Sequence, residues 1–128
     1  MCIRDSFSDE SYLRTYLGRC PRTHWEAIVM SWKAGNRTSI HAHPQFAGYY
    51  FADGEFQVEI FEQAGPTALK LANVVRVNGQ EGFAAIGHPG RFDNHIHRIT
   101  CLSATAHSLH VYSDDALRGM TFVRNDSE

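Results

Sequence analysis

Residues 46–62 read FAGYYFADGEFQVEIFE. The second half alternates Phe56, Val58 and Ile60 against Glu55, Gln57 and Glu59, a period of two that gives one buried and one wet face. The first half, Phe46 to Ala52, is rich in aromatics, and Asp53-Gly54 between the halves is a strong hairpin signal. Further strands follow outward in both directions. Upstream, Trp25 to Trp32 is apolar, Lys33 to Arg37 is a turn, and Thr38 to His43 alternates before Pro44 ends it. Downstream come Leu69 to Val77, Gly82 to Ile86, His95 to Leu102 and Ala106 to Tyr112. Short turn-bounded strands without βαβ alternation predict an all-β sandwich or barrel. Only Phe7 to Gly18 reads differently, as a short helix or a helix followed by an extended entry, with Ser8 as N-cap and Asp9 and Glu10 at the favourable end of the dipole.

The chain has 128 residues, 43% of them hydrophobic, which suits one domain with a real core. The formal net charge of −2 comes with no lysine or arginine stripe, so nucleic-acid and membrane-surface binding lack an electrostatic footprint. No apolar run approaches the roughly 18 residues of a membrane span. Cys2, Cys20 and Cys101 form no framework, which predicts reduced thiols and a cytoplasmic setting. Met1 to Ser6 reads as the translation of a sequencing-adapter end (ATG TGT ATA AGA GAC AG). Those six residues are therefore set apart as an expected artefact. The natural chain is then expected to extend further upstream, leaving 7–128 as a single N-terminally truncated domain. A monomer or small homo-oligomer is expected.

The chemistry lies in the histidines, eight in all, five of them between His88 and His110. On a strand, His41 and His43 face the same way, about 6–7 Å apart. Two imidazoles so placed can converge on one metal at roughly 2.1 Å each. Ser108, His110 and Tyr112 also alternate by two, opposite Leu109 and Val111. One strand can thus present a hydroxyl, an imidazole and a phenol to one face, each orienting the next. His95 and His97 share a face and compete as a third metal ligand, whereas His24, His88 and His107 read as surface residues.

Gly35-x5-His41-x-His43, with a turn at Gly54, resembles the first cupin motif, except that Ala47 stands where that motif carries a carboxylate ligand. Thiol dioxygenases are cupins with three histidines in its place. His97-Arg98-Ile99 and Ser108-Leu109-His110-Val111-Tyr112-Ser113 resemble the H-R-V and S-L-H-L-Y-S segments of the cysteine dioxygenase family. Tyr12-Leu13-Arg14 resembles that family's Y-x-R, some twenty residues before the Trp that is Trp32 here. The resemblance, from about Tyr12 to Tyr112, implies a double-stranded β-helix binding Fe(II) through His41, His43 and His97. It implies Ser108, His110 and Tyr112 as a catalytic relay. Arg14 and Tyr12 would bind substrate, with Arg19 as the fallback cation. The substrates would be a small thiol and dioxygen. Arg14 tilts the choice towards cysteine over 3-mercaptopropionate. A non-catalytic metal-binding cupin, or a hydrolase or isomerase using Zn or Mn, are the alternatives. The sequence departs from the family at Ala42, at Asp114-Asp115, and at Ala47-Gly48, where animal members carry a cross-linking Cys.

Overall fold

The computed structural model describes residues 8, 11–42, 46–65, 68–86, 96–113 and 120–122. Ten strands run through them: β1 (Leu13–Arg19), β2 (Glu26–Lys33), β3 (Ile40–Ala42), β4 (Phe46–Asp53), β5 (Glu55–Gln63), β6 (Leu69–Asn78), β7 (Glu81–Ile86), β8 (Ile96–Cys101), β9 (Thr105–Tyr112) and β10 (Met120–Phe122). They form two five-stranded sheets, ordered β1-β2-β9-β4-β7 and β10-β3-β8-β5-β6, with every pairing antiparallel. Among the described residues no helix is long and apolar enough to cross a membrane.

The alternation read in β5 holds: Phe56 and Val58 are fully buried. On the facing sheet Trp32 and Phe51 are equally buried, and the Phe51 and Phe56 rings meet at 4.5 Å between centroids. Cys101 and Ile99 complete this layer from β8. Each large apolar side chain buried there stabilises the fold by roughly 1.5–3 kcal/mol before the cost of ordering it.

The structure corrects two expectations. Asp53-Gly54 is not a hairpin turn, because β4 and β5 lie in different sheets and do not pair. Gly54 has φ +90°, and a Cβ on it would stand 2.3 Å from the Ala106 Cβ. The left-handed corner throws the chain across the core, so that the strands face one another through their side chains. A helix running on to Gly18 is also ruled out, the extended entry being what forms from Leu13, while Phe7, Asp9 and Glu10 lie outside the described residues. Leu13–Arg19 is an edge strand paired with β2, from Leu13 opposite Ser31 to Arg19 opposite Glu26. A helix of about three turns is marginal alone. The open edge of β2 instead supplies a ladder of backbone hydrogen bonds, and Tyr12 packs on Trp32. β10 was not expected at all. Its register, Thr121 opposite His41, adds a fifth strand beside β3.

Candidate metal centre and hydrogen-bond relay

On β9, Ala106, Ser108, His110 and Tyr112 form the buried face. Ser108 Oγ lies 2.7 Å from His110 Nε2, and His110 Nδ1 lies 3.2 Å from the Tyr112 hydroxyl. Trp32 begins the chain, its Nε1–H donating to Ser108 Oγ at 2.8 Å. The Ser108 hydroxyl accepts the indole N–H and shares a second hydrogen bond with His110 Nε2, whose direction, like that of the His110 Nδ1–Tyr112 bond, is set by the tautomer of His110. Burial pushes the Tyr112 phenol above its usual range, against the pull of the nearby Arg14 charge.

Opposite this relay, β3 and β8 bring two imidazoles together. His41 and His97 are direct cross-strand partners, with ring centroids 4.4 Å apart. His97 is fully buried. His41 Nδ1–H donates to the Ser39 carbonyl at 2.8 Å, which orients the ring and places its lone pair on Nε2. Burial lowers the pKa of His41, and the Arg14 charge adds to this against the Ser39 contact. A neutral imidazole with its second nitrogen anchored to a carbonyl is the form that ligates metals. His43 and His95 lie outside the described residues. Among those described, no three His, Cys, Asp or Glu side chains form a metal-sized group. The described donor set is therefore two imidazoles, which suits a divalent transition metal as part of a larger set.

Tyr49 stands between the two halves. Its hydroxyl is 2.9 Å from His97 Nε2, and its ring lies 4.7 Å from that of His110. Burial and the neighbouring Tyr112 hold this phenol well above its usual pKa. Arg14 is on the exposed edge of β1, opposite Met30, and its charge acts on both His41 and Tyr112. The Tyr12 ring is 4.9 Å from Trp32. Arg19 instead pairs with the buried Glu26 at 2.9 Å.

No protein-family model matches this sequence, and no curated protein matches it. Solved structures do. A protein of Klebsiella pneumoniae subsp. pneumoniae MGH 78578 with a double-stranded β-helix domain aligns with TM-score 0.66 and 13% identity, over 91% of this chain and 89% of its own. A cupin superfamily protein from Desulfitobacterium hafniense DCB-2 gives 0.61 and 15%, over 84% and 82%. An RmlC-like cupin from Shewanella frigidimarina NCIMB 400 gives 0.60 and 18%, over 83% and 78%. The fold is a cupin double-stranded β-helix.

In this fold, Ala47 is fully buried and is the cross-strand partner of Tyr112. No carboxylate can approach from that position, and Tyr49, two residues on, fills the space on the same face. Three residues that sequence reasoning did not assign thus belong to the site. Tyr49 shares the parity of the buried Ala47 and Phe51, but the equally aromatic Tyr50 beside it hides the signal. Glu26 shares the parity of Ile28 and Met30, a carboxylate on an otherwise apolar face opposite Tyr112. Trp32 was recognised as a landmark, yet its donor role needed the pairing of β2 with β9. Of the histidines expected at the surface, His24 is exposed, whereas His107 is partly buried and bonds to Asp53 at 3.0 Å.

Proposed function

We propose that this cupin is a small-thiol dioxygenase of the cysteine dioxygenase type, using Fe(II) held by His41, His43 and His97. The cupin fold and the paired imidazoles support the coarser part, metal binding. One observation supports the finer part: the His41–His97 pair and the end of the Ser108–His110–Tyr112 relay are joined through Tyr49, whose ring lies 5.4 Å from His97 and 6.3 Å from Tyr112. The reaction adds both atoms of dioxygen to sulfur, RSH + O2 → RSO2H, the sulfinic step of thiol oxidation. Ferrous iron, if held by His41, His43 and His97, would supply the oxygen-activating redox chemistry that this reaction needs.

The chain's own groups would do the rest. Arg14 would hold the substrate carboxylate at the mouth of the barrel, since a guanidinium is planar, permanently charged and bidentate. Tyr112, kept protonated by burial, would present its O–H to the substrate or to oxygen. His110 would hold that phenol, and Ser108 and Trp32 would orient His110. The buried aromatic walls, Phe51 and Phe56 among them, would exclude water. A reducing cytoplasm is the setting assumed.

The test is anaerobic loading with Fe(II), then oxygen uptake with cysteine, 3-mercaptopropionate and a thiol lacking a carboxylate, with the sulfinate identified by mass. Thiol-dependent uptake in the native sequence and its loss in His97→Ala are expected. Stoichiometric metal with no thiol-dependent uptake would leave a metal-binding cupin of another purpose.

A further inference from the structure

The Tyr49 hydroxyl lies 2.9 Å from His97 Nε2. An ion held by His97 through that ring nitrogen would compete with the phenol for it. An imidazole nitrogen has a single in-plane site, which holds either a proton or a lone pair. If the phenol donates to Nε2, it occupies the lone pair. If Nε2–H donates to the phenol, there is no lone pair there to give. In either tautomer an ion at roughly 2.1 Å from Nε2 cannot share that direction with an oxygen at this hydrogen-bond distance. The contact is also well built. Tyr49 is buried, its ring lies almost parallel to Phe83 at 5.8 Å, and it packs edge-on against His110.

We propose that Tyr49 is a positioning residue that holds His97 in the absence of metal and must give up this bond when metal binds. This rests on the reading of His97 as a metal ligand. Tyr49 keeps a buried imidazole satisfied and oriented in the metal-free barrel, so that the fold does not depend on the ion. The same bond weakens metal affinity, because loading exchanges it for the metal–nitrogen bond.

The test is anaerobic Co(II) binding by chelator competition, read from the visible ligand-field bands, with thermal unfolding of the metal-free and Co(II)-loaded forms alongside. Tyr49→Phe removes only the hydroxyl. It is expected to bind Co(II) about five- to tenfold more tightly than the native sequence, the size of one net buried hydrogen bond. It is also expected to unfold at a lower temperature when metal-free, and to lose that deficit when loaded. Tyr49→Leu is expected to move affinity in the same direction and guards against a failure specific to the ring. Unchanged or weaker Co(II) binding in both variants would overturn the proposal, and weaker binding would mark the phenol as a ligand. His97→Ala separates this failure from that of the underlying reading. If Co(II) binding survives that change undiminished, His97 is not a ligand and the competition has no basis.

Discussion

Ser108 shows how much depends on a single hydroxyl. It accepts from Trp32 Nε1 and shares a hydrogen bond with His110 Nε2, with all three side chains nearly or fully buried. Ser108→Ala strands an indole N–H and an imidazole nitrogen together. The expected cost is about 1–3 kcal/mol per group left without a partner, seen as a lower urea midpoint at unchanged slope. A fully native midpoint would mean that the relay is not formed. Arg14 makes the contrasting case, an exposed edge residue whose charge reaches both His41 and Tyr112. Arg14→Gln is expected to leave stability within about 0.5 kcal/mol, as for most surface changes. In oxygen-uptake assays it is expected to lower kcat/KM for cysteine by more than for 3-mercaptopropionate. An unchanged preference would remove Arg14 from the substrate site. These roles were legible to different degrees. The i, i+2 spacing of Ser108, His110 and Tyr112 could be read directly, because a strand fixes side-chain parity. The Tyr49–His97 bond could not, since it joins residues 48 apart in sequence and depends on sheet packing.

At the level of elements, the misread Asp53-Gly54 is the most informative. Local sequence specifies that the chain turns there, but not whether it returns within a sheet or crosses to the other one. What decides is packing: Phe51 and Phe56 both need burial, and crossing lets them bury each other. Gly54 is then required twice, for its positive φ and for the absence of a Cβ against Ala106. Gly54→Ala is expected to cost more than 2 kcal/mol, measured by urea unfolding, because strain and overlap act together. A cost below 1 kcal/mol would mean that the corner relaxes easily. The stretch before β2 shows the same thing: its local sequence admits a helix or an extended entry, and from Leu13 the edge of β2 decides for the strand by offering backbone partners.

For the whole molecule, His41 ties stability to pH. His41 titrates below its ordinary value of 6.5 in the fold. Between that lowered value and 6.5 the unfolded chain therefore binds more protons than the native one, and stability rises with pH. The metal-free protein is expected to have this contribution intact above 6.5 and to lose stability as pH falls below it. Urea unfolding at about pH 7.5 and 5.5 measures the difference, and His41→Gln should flatten part of it. A slope unaltered by that change would assign the dependence to other groups.

The alternation of the chain between two sheets also governs how the molecule comes into being. β2 and β9 must meet before Trp32 can reach Ser108, 76 residues away, and β3 must find β8 before His41 can reach His97. Closing such long loops comes before any reward for doing so, and proteins dominated by distant pairings fold in roughly milliseconds to seconds. Neither half of this chain holds both paired imidazoles and the relay. A nascent chain therefore cannot bring the three groups together until these distant strands have paired.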